Sequence, residues 1–284
     1  MPQVPAVSIR AVPTEKRQRQ KEGRQARLAA RRKAQKRRQL IRRTVIVVIV
    51  AGVVVGSVLL FTRGSGTPTT TTTTSTTTTI PALNPKFAHQ QAAADAVAVA
   101  AGCPKSPFTK VNTLTWAAAP SKIITDSAIY SAIFKTDVGS FTVGLDAAQA
   151  PTTVNNFVFL AKKGYFTCNS FFRVIPGFAS QAGSPSQSNT VGSQPGYTIP
   201  DENMKSTFKL GDLAMANSST PNSGASQFFI VAKNEPIQGT YALFGHVTRG
   251  LAIIERINAD GSPAGIPPDV VHRILSITII GPTT

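Results

Sequence analysis

The sequence has few of the residues from which most enzyme sites are built. Its 284 residues include two cysteines, three histidines and thirteen acidic residues. The histidines lack metal-ligand spacing, no serine stands in a G-x-S-x-G setting, and the acidic residues are scattered apart from Asp201-Glu202. These absences exclude a zinc cluster with four cysteines and leave no obvious nucleophile or carboxylate pair. An enzyme with this composition is expected to work without a covalent step, a metal or a cofactor.

Positive charge is concentrated at the N-terminus. Residues 1–43 hold fifteen of the thirty lysines and arginines but only two acidic residues, so they carry +13 of the net charge of +17. The rest of the chain has a net charge of +4, which is ordinary for a soluble domain. The high overall charge therefore describes a basic arm and does not indicate that the folded part binds nucleic acid. The arm itself is able to bind nucleic acid or anionic lipid, and that second role stays open.

A long apolar run follows the basic arm. Thr44 to Thr62 contains no charged residue and spans roughly 28 Å as a helix, close to the hydrocarbon thickness of a bilayer. We predict a single transmembrane helix over 44–62, with the arm 1–43 in the cytoplasm because cationic flanks stay inside. A cleaved signal peptide is the rival interpretation, but it would need a much shorter basic region and a small-residue cleavage site.

The composition changes twice more before the globular part of the chain. Residues 63–86 are dominated by a threonine-rich tract with nothing to bury, which predicts a disordered linker. Residues 87–127 form an N-terminal extension whose alanine-rich beginning is either a short helix or a further spacer. The main folded domain is predicted at 128–282.

This domain has the pattern of a mainly β protein. The segment AIFKTDVGSFTVGL alternates apolar and polar residues around Asp137-Val138-Gly139, which is typical of an antiparallel hairpin. Helical periodicity is found at 150–164 and at 251–257. The other apolar runs are short and separated by glycine, proline, serine and asparagine. Many short strands with two helices predict a closed or nearly closed β-barrel.

Three motifs follow one another along this domain. They read FFRVIPGFASQAG at 171–183, LAMAN at 213–217 followed by SGASQFFI at 223–230, and LFGHV at 243–247. They resemble the cyclophilin motifs F-x-R-x-I-x-G-F-x-x-Q-x-G, L-x-M-A-N with N-x-x-S-Q-F-F-I, and V-F-G-x-V. The resemblance covers roughly residues 128–282, a little over half of the chain. Three motifs in the same order as in the family are not expected by chance.

The resemblance to cyclophilins implies both a fold and a site. The fold is a closed eight-stranded antiparallel β-barrel capped by two α-helices, with the substrate groove on its outer face and, in this chain, the transmembrane helix in front. Arg173 is the implied catalytic residue, while Phe178, Phe229 and Ile237 are the implied walls of a proline pocket. The other implied substrate-binding residues are Ala179, Gln181, Ala216, Asn217, Gln227 and Tyr241. No metal is implied.

These residue types suit peptidyl-prolyl isomerisation. Rotation about an X-Pro amide is opposed by a barrier of about 18 to 20 kcal/mol, because resonance gives the C–N bond partial double-bond character. Twisting the bond returns a lone pair to the proline nitrogen. A guanidinium beside that nitrogen stabilises the twisted state more than either planar state, which is differential binding of the transition state.

Several positions depart from the family pattern. Tyr241 stands where many cyclophilins have histidine, the usual tryptophan near Ile237 is missing, and Trp116 lies outside the resemblance. Ala179 replaces a larger apolar residue, and Ser184-Pro185 replaces a common aspartate. We expect a roomier groove, a differently held loop after 183 and weak sensitivity to cyclosporin. Whether Tyr241 lowers turnover stays open.

The two cysteines, Cys103 and Cys168, by themselves allow one disulfide or two free thiols. Export would favour oxidation, and similar paired cysteines occur in exported actinobacterial cyclophilin-like proteins. We therefore predict a disulfide that joins the N-terminal extension to the barrel, and a bacterial source.

These observations predict a monomeric, membrane-tethered peptidyl-prolyl cis-trans isomerase. Its expected partners are proline-containing segments of exported or cell-envelope proteins and, through 44–62, membrane lipid, with nucleic acid not expected. The alternative is a non-catalytic binding or chaperone module that holds proline-containing segments in the same groove. A third, weaker hypothesis is an interaction protein that acts through its basic arm.

Overall fold

The computed structural model describes residues 83–188 and 195–282. The predicted basic arm (1–43), the predicted span (44–62) and the threonine-rich tract up to residue 82 lie outside these ranges. Within them, no helix is both long enough and apolar enough to cross a bilayer. The last residues of the predicted linker belong to the folded extension, since Pro85–Phe87 form a 3₁₀ turn and the Asn84 side chain donates to Asp269 (2.8 Å).

The architecture is a curled antiparallel sheet with helices, as the β-rich pattern predicted. The strands are β1 Tyr130–Thr136, β2 Gly139–Leu145, β3 Asn169–Ser170, β4 Arg173–Ile175, β5 Ala179–Ala182, β6 Met204–Phe208, β7 Asp212–Met215, β8 Phe228–Val231, β9 Glu235–Arg249 and β10 Arg273–Ile280. The helices are α1 Ala88–Ala100, α2 Pro151–Lys162 and α3 Leu251–Ala259. The helices predicted at 150–164 and 251–257 correspond to α2 and α3, and the alanine-rich segment is a helix and not a spacer.

The strand pairing does not confirm the predicted closed eight-stranded barrel. In the described residues, ten strands form one sheet in the order β3-β10-β1-β2-β9-β7-β8-β5-β4, with β6 paired to β9. The two ends of this path, β3 and β4, are not paired with each other. They are consecutive in the chain and separated only by Phe171 and Phe172, so the chain itself passes from one end of the sheet to the other.

An aromatic core fills the inside of the curled sheet. Phe134 and Phe141 lie directly opposite each other in the predicted β1–β2 hairpin, and their rings stack at 4.6 Å. The rings of Phe157 in α2 and Phe228 in β8 form a T-shaped pair, with their centroids 5.7 Å apart. β1 and β2 each present every second residue to this core, as the alternation of their sequences predicts. Their remaining side chains are therefore available for the outer face.

The N-terminal extension is fastened to the sheet at several points. The Gln91 side chain of α1 makes two hydrogen bonds with the backbone of Val271, of 2.7 and 3.3 Å. Asp95 forms an ion pair of 2.6 Å with Arg273, whose side chain is almost fully buried. The predicted disulfide between Cys103 and Cys168 is present, with the Cα atoms 5.4 Å apart. The extension is thus a structural part of the folded unit.

A buried histidine lies between two carboxylates beside α1. His272 Nδ1 is 2.8 Å from Asp137 and Nε2 is 2.9 Å from Asp260. Burial alone would lower the pKa of His272, but the two hydrogen-bonded carboxylates outweigh it and raise this pKa to about 9. With a carboxylate at each nitrogen, the imidazole is doubly protonated and donates both hydrogen bonds.

The stability of the protein is expected to fall between pH 6.5 and about pH 9. Because the pKa of His272 is higher in the folded state, its contribution is complete below the unfolded value of 6.5 and is lost as the pH rises through 9. The shift corresponds to about 3 kcal/mol in the free energy of unfolding. Urea unfolding measured across this range should show the loss, and a His272→Gln protein should show a smaller pH dependence. Equal pH dependence of the two proteins would contradict the assignment.

Candidate active site

The implied site residues lie on the outer face of the sheet, opposite the aromatic core. On β4, β5, β8 and β7, alternate residues point inward and pack in the core, including Val174, Ala182, Phe228 and Leu213. Their immediate neighbours in sequence therefore point outward. In the strand register, Arg173 lies directly opposite Gln181, Gln181 opposite Phe229, and Phe229 opposite Ala214. These side chains form a row across four adjacent strands.

Arg173 is held at one end of this row by a chain of amide side chains. Its Nη1 donates to Gln181 Oε1 at 3.2 Å, and Gln181 Nε2 donates to Gln227 Oε1 at 2.9 Å. Gln181 is buried and Gln227 is buried beside it. Because Gln181 accepts from a cation on one side and donates on the other, the orientation of its amide is determined. The Gln181 amide oxygen in turn holds one nitrogen of the guanidinium.

The side chain of Arg173 is half-buried. Burial lowers the pKa of its guanidinium, and nearby Tyr241 opposes the shift. The pKa of arginine normally lies so far above neutrality that the side chain remains a cation at pH 7. Arg173 therefore presents a fixed positive charge with several donors in a site where water screens it less than at an open surface.

A second hydrophobic cluster, separate from the aromatic core, lies beside Arg173 on the same face and is the candidate proline pocket. The buried members are Ala179, Phe208, Ala214, Ala216, Phe229, Val231 and Ile237, and the partly exposed members are Phe178, Tyr241 and Leu243. The rings of Tyr241 and Phe229 pack edge to face with their centroids 5.1 Å apart, and the centroid of the Phe208 ring lies 6.1 Å from that of Phe229. The cluster thus presents aromatic side chains with partly exposed edges on the outer face, a surface against which a small apolar ring can pack.

The groove continues from Tyr241 into a more polar cavity of about 540 Å³. Asn217 lines this cavity, and its Nδ2 donates to the backbone oxygen of Thr240 at 3.0 Å. Ala216 N donates to the backbone oxygen of Gln227 at 2.9 Å, which joins the two segments that border the groove. The site therefore combines one cation, an apolar pocket and a polar channel with backbone groups.

All ten implied site residues belong to this one surface, but the implied set left out several members of the same hydrophobic cluster. Phe208, Ala214, Val231 and Leu243 were missed. The alternation in LAMAN could have found Ala214, because it shares a face with Ala216. No local signal could have found Phe208, because its strand β6 reaches the pocket only by pairing with β9. Trp116 is not part of this surface, because its ring packs against Phe159 of α2 with the ring centroids 5.0 Å apart.

The departures from the family pattern can be located in the structure. Ala179 is buried in this cluster, at the position where the family has a larger apolar residue. The loop after residue 183 is held by the extension, because Val111 N donates to the backbone oxygen of Pro185 at 2.9 Å. Tyr241 contributes its ring to the pocket wall.

Comparison with known proteins gives a consistent result. The family model for cyclophilin type peptidyl-prolyl cis-trans isomerase/CLD matches residues 131–279, which is half of the chain. The chain is 43% identical to peptidyl-prolyl cis-trans isomerase-like 1 of Aspergillus niger over 129 residues, 44% of this chain and 78% of that protein. It is also 43% identical to peptidyl-prolyl cis-trans isomerase B of Bacillus subtilis over 112 residues, 38% of this chain and 76% of that protein.

Among solved structures, a cyclophilin type peptidyl-prolyl cis-trans isomerase of Cryptosporidium parvum matches with a TM-score of 0.48 and 26% identity. The match covers 54% of this chain and 98% of that one.

Proposed function

Because the chain belongs to the family of cyclophilin-type peptidyl-prolyl cis-trans isomerases, we propose that its outer-face groove isomerises X-Pro bonds in exported or cell-envelope polypeptides. The observation that carries this proposal is the row from Arg173 through Gln181 to Phe229. Neighbouring strands lie about 4.8 Å apart, so the backbones of Arg173 and Phe229 are about 10 Å apart across two strand spacings. A long arginine side chain spans much of that distance and can reach a prolyl amide seated against Phe229.

In this proposal the isomerisation is accelerated by stabilisation of its transition state. The pyrrolidine ring is held in the apolar pocket of Phe178, Phe229 and Ile237 while the residue before proline rotates. As the C–N bond twists, the proline nitrogen loses its resonance with the carbonyl and regains a lone pair. The Arg173 guanidinium donates to that nitrogen and lowers the energy of the twisted state relative to both planar states. No covalent intermediate is formed.

Three further residues are proposed to hold the peptide backbone. Gln181 contacts it next to the reacting bond, while Asn217 and Gln227 border the channel beyond Tyr241. Main-chain hydrogen bonds leave the rotating bond free, because they anchor the peptide on either side of it. Proline-containing polypeptides of many sequences are therefore the expected substrates.

An isomerase assay tests the proposal directly. The full chain is expected to accelerate cis-trans exchange of an Ala-Pro peptide, measured by NMR exchange or by protease-coupled hydrolysis. Peptide binding in the groove without any acceleration would instead favour the non-catalytic binding module. Tyr241 is the feature on which that alternative rests, since it replaces the family's common histidine in the pocket wall.

We further propose that residues 44–62 anchor the domain outside a cell membrane. The charge-free run and the fifteen basic residues before it support this topology. In intact cells, added protease is expected to remove a C-terminal tag and to leave an N-terminal tag on residues 1–43 protected. Protection of both tags would contradict the export of the catalytic domain.

A further inference from the structure

The strand that carries Arg173 is short and lies at one end of the sheet. β4 has three residues and pairs with β5 on one side only. Its other side is met by the segment after α3. Val174 N donates to the backbone oxygen of Gly265 at 2.9 Å, and Ser262 N donates to the backbone oxygen of Val174 at 3.2 Å. A Cβ atom on Gly261 would lie 2.6 Å from that same oxygen, so glycine permits the close approach.

A buried asparagine in the last turn of α3 connects this segment to the β4–β5 turn. Asn258 is 4% exposed. Its Oδ1 accepts from Gly177 N at 2.7 Å, and its Nδ2 donates to the Ile175 backbone oxygen at 3.0 Å and to Ser180 Oγ at 3.2 Å. These partners lie in the turn and on both strands beside it. One amide side chain thus joins α3 to the whole hairpin.

We infer that Asn258 is a positioning residue for the isomerisation, an inference that rests on the function proposed above. The hairpin it holds carries Arg173 at one end and Phe178 just after Gly177, so the cation and one pocket wall move together. Displacing reacting groups by about 1 Å costs on the order of a hundredfold in rate. Asn258 sets the position of both groups although its hydrogen bonds reach neither side chain.

This arrangement predicts unequal effects on rate and on affinity. All three side-chain hydrogen bonds of Asn258 go to the β4–β5 hairpin, whereas Phe229 and Ile237 are supplied by β8 and β9. Without the Asn258 amide, those two walls still bind the proline ring. The position of Arg173 over the prolyl nitrogen is lost instead. The exchange rate is therefore expected to fall more than the peptide affinity.

The test compares full-chain Asn258→Ala with wild type by NMR exchange on an Ala-Pro peptide. The rate at saturating peptide, per folded molecule, is expected to fall roughly tenfold, which is less than the cost of a full ~1 Å displacement because the backbone hydrogen bonds of Val174 with Gly265 and Ser262 remain. The change in Kd is expected to stay below about threefold. Asn258→Asp keeps the bond from Gly177 but cannot donate to Ile175, so an intermediate rate is expected. Amide hydrogen exchange at Gly177 should accelerate in Asn258→Ala, because its hydrogen-bond acceptor is gone.

Asn155 provides a matched control. It is equally buried on α2 and also makes hydrogen bonds with the backbone, accepting from Ile123 N at 2.7 Å and donating to Ser121 O at 3.1 Å. Asn155→Ala should lose stability and keep its exchange rate.

Three outcomes would overturn the inference. One is an unchanged rate in Asn258→Ala, and another is an equal loss in Asn155→Ala. If Asn258→Ala does not fold, a wild-type rate in folded Asn258→Asp is the third. An inactive wild-type protein would instead remove the proposed function itself.

Discussion

Replacing Arg173 with alanine is expected to lower kcat/KM for an Ala-Pro peptide by about a hundredfold to a thousandfold. The magnitude is that of removing one preorganised donor from a site of developing charge or lone-pair density, roughly 3 to 4 kcal/mol. Arg173 presents its guanidinium from a half-buried position, held by Gln181 at 3.2 Å. Water that replaces the side chain would be neither charged nor oriented. The measurement is the exchange rate and the Kd for the same peptide.

The loss should appear mainly in the rate, because the apolar pocket that binds the proline ring stays intact. Arg173→Lys keeps the positive charge without the planar fork of donors, so an intermediate activity is expected. Arg249→Ala removes an exposed arginine at the end of β9 and serves as the matched control, with activity expected to remain at the wild-type level. An Arg173→Ala protein as active as wild type would exclude the proposed mechanism.

Removing the Cys103–Cys168 disulfide is expected to produce the largest loss of stability. The two cysteines are 65 residues apart in sequence, and the entropy of closing a loop of this size corresponds to about 4 kcal/mol. In Cys103→Ser/Cys168→Ser, the extension retains only its noncovalent contacts, such as the Asp95–Arg273 ion pair. Urea unfolding followed by the fluorescence of Trp116 measures both the global stability and the docking of the extension.

Reduction of the wild-type protein provides an internal control for this variant. The reduced wild type and the double serine variant should unfold at similar urea concentrations, while the reductant should leave the variant unchanged. Unfolding of the variant at the wild-type midpoint would show that the cross-link contributes little to stability. Because Cys168 lies five residues before Arg173, the exchange rate of the folded variant also shows whether the cross-link supports the strand that carries Arg173.

Much of the candidate site could be predicted from short motifs. FFRVIPGFASQAG places Arg173, Phe178 and Gln181 in one hairpin, and the two-residue period of a strand orders them by face. What the motifs did not contain depends on chain segments that are distant in sequence. Phe208 enters the pocket through the pairing of β6 with β9, and Asn258 reaches the hairpin from a helix about 80 residues away. Neither position has a local pattern that indicates its role.

The overall fold was predictable to a similar extent. Alternating and helical periodicities located the first hairpin and the two helices α2 and α3, because each buries one face and the period follows the backbone geometry. The number of strands and the absence of pairing between β3 and β4 were not predictable. Two- and three-residue strands are too short to show a period, and their existence depends on the partners beside them.

The sequence by itself determined the family of this protein, indicated its candidate catalytic arginine and led to the prediction that its two cysteines pair. These features depend on residue identity within short segments, where chemistry and spacing can be read directly. Only the tertiary structure decided which side chains support them: the Gln181–Gln227 chain, the buried His272 between two carboxylates, the docked extension and the asparagine that holds the β4–β5 hairpin. Each of these joins residues far apart in sequence, and such contacts arise from the packing of whole elements against one another, which no local pattern encodes.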